Sequence, residues 1–193
     1  MKPTYKILEN IAKYNPTITH FSLRLYKHIT GQGLKSYTLN SEYKYLSIEE
    51  LTTLEKCIEL YESEGWNIGL TSRVQTTDGT KHLLMLDFAI PISEKAEREI
   101  SEKIHTFNIS GDAPYKMDGY LIQTNRSYHY LGKYITDESN FINFIGSSML
   151  FRHTDQSDFV VDDRWVGYTL KRTFATIRIG HKNNQLPIIL REV

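Results

Sequence analysis

A hairpin signal near the middle of the chain constrains the fold more than any other feature. Two apolar runs, Trp66 to Thr76 and Lys81 to Ile90, flank the turn Thr77–Thr80, which contains Asp-Gly. An Asp-Gly pair between two strand-like runs is typical of a tight β-hairpin. The second run ends in one carboxylate, Asp87, and Pro91 follows. An acid at the end of a buried strand can act as a metal ligand or a general base. It can equally be an ordinary polar residue that precedes a turn.

The composition is that of an ordinary globular protein. The 193 residues are 40% hydrophobic and 24% charged with a formal net charge of zero, so a nucleic-acid partner would need a local basic groove. The single cysteine, Cys57, excludes an internal disulfide and a cysteine zinc cluster. No apolar run approaches the roughly 20 residues of a membrane span, and the N-terminus lacks the apolar segment of a signal peptide. We therefore expect a cytoplasmic protein without a membrane partner.

Helices and strands are predicted on both sides of the hairpin from hydrophobic periodicity. Helices are predicted over Lys6–Tyr14, from the capping box Ser47–Glu50 to Gly65, over Ser93–Phe107, from Thr136, and after Asp163. Further strands are predicted over Thr17–Tyr26, Ser36–Leu39, 116–134, 174–180 and 187–191, the last two joined by a polar turn. This pattern indicates an α+β fold with mixed or antiparallel sheets and flanking helices. We expect one domain over 1–193, with an N-terminal α/β part (1–65) and a motif-bearing part (66–193).

Polar residues that suit a binding site lie in three segments. The first contains Asp87, and the second contains Ser127 and His129, which share one face of a strand because they are two residues apart. The third begins at Asp162 and Asp163, of which one suits a helix N-cap and the other a ligand. Acids can hold a metal ion, while Ser and His can contact phosphate oxygens.

Basic residues follow in the last third of the chain. Arg178 and Lys182 are predicted to share a strand face with Thr176, where an arginine can bind phosphate. Ordinary surface solvation explains such residues equally well. Arg126 precedes the Ser-x-His segment and would point to the opposite face of a regular strand, unless a bulge at Asn125 and Arg126 redirects it.

In order and spacing, these segments resemble the archaeo-eukaryotic primase superfamily, roughly over 66–190. That family carries an Asp-hydrophobic-Asp motif at a strand end, a Ser-x-His motif on a later strand and then a hydrophobic-Asp motif, followed by an Arg-bearing strand. Here Asp87–Ala89, Ser127–His129 and Val161–Asp162 occupy those places. The resemblance implies an RRM-like primase-polymerase core that binds nucleoside triphosphate and DNA or RNA with the help of Mg²⁺ or Mn²⁺.

The resemblance also implies a role for individual residues. The implied catalytic residues are Asp87, His129 and Asp162. The implied metal ligands are Asp87, Asp162 and Asp163, and the implied nucleotide-binding residues are Ser127, Arg126, Arg178 and Lys182. An accessory protein is a further expectation, because no zinc module of the kind that priming members carry is evident.

One departure from the family pattern divides the functional hypotheses. Ala89 stands where the family has its second acid, and two metal ions close together need several carboxylates. One hypothesis is metal-dependent nucleotidyl transfer with weakened or lost activity. The other is a non-catalytic nucleic-acid-binding or protein-interaction module in replication, repair or defence. A half-motif of the two-histidine phosphodiesterases at His20–Ser22 is a weaker third reading, because no second half follows.

Overall fold

The structure of the chain is a computed structural model that describes residues 4–31, 34–110, 116–153, 158, 160–181 and 185–193. The helices in this part are α1 (Thr4–Tyr14), α2 (Leu54–Ser63), α3 (Glu94–Ser110), α4 (Glu138–Ser148) and α5 (Asp163–Arg172). The strands are β1 (Ile18–Gly31), β2 (Leu34–Ser47), β3 (Asn67–Thr76), β4 (Gly79–Asp87), β5 (Gly119–Gln123), β6 (Tyr128–Thr136), β7 (Thr176–Arg178) and β8 (Ile188–Glu192).

The described strands form one sheet of eight strands. Its order is β2-β1-β3-β4-β6-β5-β8, with β7 also paired to β3. The pairs between these strands are antiparallel. The predicted α+β class is therefore confirmed, with the antiparallel form of the sheet.

The sheet divides into two arms at β3. Next to the hairpin turn, β3 pairs with β4 over 73–76. Beyond that point β7 replaces β4 as the partner of β3, over 69–71. Strand β4 continues along β6 as far as Asp87. One arm is therefore β2-β1-β3-β7 and the other is β4-β6-β5-β8, and a space opens between them.

The predicted central hairpin is present, with a two-residue turn. Thr76 pairs with Gly79, and Gly79 has a φ of +110°. L-residues rarely adopt such a φ, whereas glycine adopts it at no steric cost. The turn chemistry in the sequence therefore fixes the register of β3 against β4.

Three expectations about the elements need correction. The capping-box contact exists, since the Ser47 amide donates to Glu50 Oε2 at 2.9 Å, but a 3-10 helix at Leu51–Thr53 intervenes and α2 begins only at Leu54. The first two strands are much longer than predicted and reach Gly31 and Ser47. The last two strands do not pair with each other, because β7 pairs with β3 and β8 pairs with β5.

Alternation along β1 separates the apolar core from the polar face. Phe21, Leu23 and Leu25 are almost completely buried in the core. Arg24 and Tyr26 point to the other side and line a cavity. Among the described residues, the structure contains no helix with the length and apolar character that a membrane crossing requires.

Candidate functional site

A cavity of about 290 Å³ lies where the two arms of the sheet separate. One arm contributes the end of β4, the start of β6 and the β5–β6 turn, and the other contributes β1 and β7, while α5 borders both. Five residues that the sequence singled out line this cavity: Asp87, Arg126, Ser127, His129 and Arg178. The fold therefore brings the first and second polar segments together with the arginine of the last third.

Asp87 and His129 are direct neighbours across the two strands. They pair in the β4–β6 register, and His129 Nε2 lies 3.5 Å from Asp87 Oδ1. The carboxylate side chain is 27% exposed, whereas the imidazole side chain is only 8% exposed. An acid at the end of a strand beside a buried histidine can place a negative charge at the cavity wall and hold the imidazole in one orientation.

The β5–β6 turn explains why Arg126 reaches the cavity. The Thr124 hydroxyl accepts hydrogen bonds from the Arg126 amide at 3.3 Å and from the Ser127 amide at 3.1 Å. This side-chain-to-backbone bonding is the usual way in which a Thr fixes a tight turn. Arg126 therefore lies in a turn rather than in a regular strand, and the alternation that would direct it away does not apply.

Four arginines dominate the electrostatics of the cavity. They are Arg24, Arg126, Arg172 and Arg178, and Asp87 is the only carboxylate among the described residues that line the same space. Burial, and then the nearby Arg172 guanidinium, lower the pKa of Arg24. Within the described part of the chain, none of the four forms an ion pair with a carboxylate. The cavity is therefore a site of concentrated positive charge.

Arg24 and Thr176 in the cavity wall each have a polar atom without a hydrogen-bond partner among the described residues. Arg24 Nε and Thr176 Oγ1 are both buried, and Arg24 as a whole is 7% exposed. A buried donor without a partner costs about 1–3 kcal/mol, and a charged group costs more. A bound anion with several oxygen acceptors would supply the missing partners.

Aromatic rings from α5 and the following segment form another part of the wall. Trp165 Nε1 donates to the Thr176 carbonyl at 3.0 Å, which ties α5 to β7. Tyr168 is 57% exposed, and the Arg172 guanidinium lies 5.2 Å from its ring centroid. Phe174 completes this aromatic side. Planar rings beside cations suit a ligand that has both a flat base and phosphates.

The third polar segment lies beside the cavity rather than in its wall. The Asp162 amide donates to the Asp87 carbonyl at 2.9 Å, so the two backbones adjoin. The Asp162 carboxylate caps α5: its Oδ1 accepts from the Trp165 amide at 2.9 Å. Its Oδ2 lies 3.6 Å from Arg164 Nη2. Asp163 is the exposed first residue of α5, and neither acid is among the residues that line the cavity.

The available metal-ligating side chains limit how many metal ions the site could hold. Among the described residues there is no group of three or more His, Cys, Asp or Glu side chains that could share one ion. Mg²⁺ is commonly held by one or two carboxylates together with substrate phosphates. Asp87 fits that pattern for one ion beside a bound phosphate, whereas the residues present do not fit two ions, because Ala89 has no carboxylate and Asp162 caps a helix.

Sequence reasoning did not find every residue of the cavity wall. Arg24, Arg172 and Thr176 were not assigned to the site. The alternation of polar and apolar residues along β1 places Arg24 on the polar face of the strand. Sequence alone, however, does not show that this face of β1 lies near Asp87. Lys182 lies outside the described residues.

The fold and this cavity define a class: an α+β protein with an arginine-lined cavity next to one strand-end carboxylate. Comparison with known families is more specific. The family model "AEP-like: Archaeo-eukaryotic primase 1D-like" matches residues 46–189, which is most of the chain. The chain belongs to this archaeo-eukaryotic primase-like family, so the resemblance inferred from the motifs is confirmed. No curated protein and no solved structure matches the chain.

Membership defines the broad function of the protein. The function is primase-polymerase-like and related to nucleic acid, and the family in general binds nucleotides and nucleic acids. Members generally depend on divalent metal ions. The antiparallel sheet and the five α-helices of the described residues are consistent with the fold of the family.

Proposed function

We propose that the cavity binds the phosphates of a nucleoside triphosphate or of a nucleic-acid end, and that Asp87 is the acid that faces them. The observation that carries this proposal is the set of four arginines that line the same cavity as one carboxylate. A triphosphate would relieve the repulsion between Arg24 and Arg172 and would give Arg24 Nε an acceptor. Ser127 and Arg126, held by the β5–β6 turn, would contact the same phosphates.

One divalent ion beside Asp87 fits the proposal. Mg²⁺ or Mn²⁺ bound there would neutralise phosphate charge and make the α-phosphate more electrophilic. Asp87 would orient the imidazole of His129, and Arg178, which donates to the Tyr26 hydroxyl at 3.4 Å, would hold the trailing phosphates. With one acid at the strand end, we expect nucleotidyl transfer to be slow, because charge stabilisation of the transition state is weaker.

The test is calorimetric titration of the protein with a nucleoside triphosphate, with and without Mn²⁺. Wild type should bind, and Arg24→Met and Arg178→Met should each weaken binding by roughly tenfold to a hundredfold, the usual effect of losing one charged hydrogen-bond donor. Arg98→Met is the matched control, because Arg98 is exposed on α3 away from the cavity. Equal affinities in all four proteins would refute the proposed site.

Catalysis is tested separately with template, labelled nucleotide and Mn²⁺. Product that is lost in Asp87→Asn would establish metal-dependent nucleotidyl transfer. Product that survives this change would remove Asp87 from the mechanism. Binding without product in any protein would support the second candidate, a non-catalytic binding module, which the single strand-end acid favours.

A further inference from the structure

Two exposed tyrosines lie on the edge strand beside the cavity. Tyr43 is 46% exposed and Tyr45 is 58% exposed. Because they are two residues apart in β2, they share a face. Tyr43 pairs with Arg24 and Tyr45 pairs with Ser22 across the β1–β2 register. The tyrosine face is therefore the face of β1 that carries Arg24 into the cavity wall.

Ring contacts connect this edge to the cavity. The Tyr43 and Phe174 ring centroids are 6.0 Å apart at an interplanar angle of 77°, and Phe174 lines the cavity. The Arg73 guanidinium lies 4.6 Å from the Phe174 ring centroid. We call Tyr45, Tyr43 and Arg73, together with the largely buried Phe174 that connects them to the cavity, the aromatic strip.

The charge of the aromatic strip is complementary to phosphate. Arg73 lies along it, and Arg24 and Arg172 lie at the cavity end. Glu42 pairs with Leu25, so it alternates to the opposite face, and its carboxylate lies 3.7 Å from Lys44 Nζ. Stacking rings beside arginines are the combination that binds single-stranded nucleic acid without base preference.

We propose that the aromatic strip binds single-stranded nucleic acid, with bases stacked on Tyr43 and Tyr45 and with the backbone leading past Phe174 into the cavity. This inference rests on the proposed function, because it extends the phosphate site outwards. The two tyrosines precede the residues 46–189 that match the family. The stacking tyrosines of the strip therefore lie outside the family match, whereas Arg73 and Phe174 lie within it.

The experiment measures binding of fluorescently labelled single strands by anisotropy. Strands of about 4 and about 12 nucleotides are compared, within the usual range of site sizes, each as oligo-dT and oligo-U. Tyr43→Ala/Tyr45→Ala should weaken binding of the longer strand by roughly tenfold or more, since stacking of one base on an aromatic ring commonly contributes that much. Tyr43→Phe/Tyr45→Phe should restore it, because the rings remain. Oligo-dT and oligo-U distinguish DNA from RNA as the ligand.

Two controls separate this inference from the proposed function. Tyr14→Ala/Tyr134→Ala removes another pair of exposed tyrosines, whose rings are 5.7 Å apart away from the cavity, and should leave binding unchanged. Triphosphate titration of Tyr43→Ala/Tyr45→Ala should match wild type. If triphosphate binds and the alanine variant holds the longer strand as tightly as wild type does, the strip proposal fails and the phosphate site stands. If neither ligand binds wild type, both fail.

An edge strand can also pair with a second copy of the chain. Light scattering on wild type and on Tyr43→Ala/Tyr45→Ala distinguishes this outcome. A wild-type dimer that dissociates in the variant would make the tyrosines a self-association surface and would overturn the nucleic-acid proposal. A monomer in both proteins, together with the length-dependent loss of binding, would support it.

Discussion

Arg24 illustrates the conflict between stability and ligand binding at one residue. Its guanidinium is buried, and the pKa is lowered first by that burial and then by Arg172. A buried charge without a compensating partner destabilises a fold, and replacing it with an apolar residue of similar length is often neutral or stabilising. The proposed phosphate ligand would supply the compensating charge at this position.

Arg24→Met should raise the free energy of unfolding by about 1 kcal/mol, or leave it unchanged, while weakening triphosphate binding. The thioether chain occupies the same space without the charge. Urea unfolding followed by circular dichroism measures the first effect, and calorimetry measures the second. A clear loss of stability would indicate that the guanidinium supports the fold, contrary to this interpretation.

At the scale of elements, the N-terminus of α5 couples a helix cap to the neighbourhood of Asp87. Asp162 accepts from the Trp165 amide, and its own amide donates to the carbonyl of Asp87. The cap therefore determines where the aromatic residues of α5 stand relative to the strand-end acid.

Asp162→Asn and Asp162→Ala separate the capping role from a metal-binding role. Asn caps a helix nearly as well as Asp, so the stability of Asp162→Asn should be close to that of wild type. Asp162→Ala should be less stable by about 1 kcal/mol. Thermal unfolding measures both. If Asp162 also binds metal, Asp162→Asn should abolish the effect of Mn²⁺ on triphosphate affinity. We expect that effect to persist in Asp162→Asn and to be lost in Asp87→Asn.

Most elements were predictable because their signals are local. Asp78-Gly79 determined the hairpin, and the cap at Asp162 placed α5. The partners of β7 and β8 were not predictable, since two adjacent strands joined by a polar turn favour a hairpin, and only tertiary packing directs them to β3 and β5. Asp87, His129 and Arg178 could be identified because their motifs are local in sequence. Arg24 could not, because only the tertiary structure shows which strand faces the cavity.

At the scale of the whole molecule, a buried hydrogen-bond network joins the two arms of the sheet where they meet. Ser72 Oγ of β3 accepts from the Ala175 amide at 3.0 Å and lies 3.1 Å from His82 Nδ1 of β4. His82 Nε2 lies 3.8 Å from Glu138 of α4. His82 is 1% exposed, so its protonation state bears on the stability of the whole sheet.

Stability should fall in mild acid because of His82. Burial lowers its pKa to about 4 from 6.5, although Glu138 opposes the shift. The unfolded chain therefore takes up the proton first. The stability that neutral His82 contributes is fully present above the pKa that this histidine has in the unfolded chain. It is lost as the pH falls towards about 4, and the total loss is roughly 3 kcal/mol.

Urea unfolding at about pH 7 and about pH 5 measures part of this loss, about 2 kcal/mol, because pH 5 lies between the two pKa values. His82→Gln should flatten the dependence, because the amide does not titrate. His105→Gln, at an exposed position of α3, should retain it. An unchanged pH dependence in His82→Gln would assign the acid sensitivity to other groups.

The change of partner along β3 has a consequence for the order in which the protein folds. The hairpin of β3 and β4 closes over a two-residue turn, whereas Arg73 of β3 bonds to Thr173 across 100 residues. Contacts so distant in sequence form late, because the chain must lose loop entropy before they contribute. During synthesis, Asp87 can pair with His129 well before β7 exists. The arginine-lined wall can then be completed only after Arg178 has emerged from the ribosome.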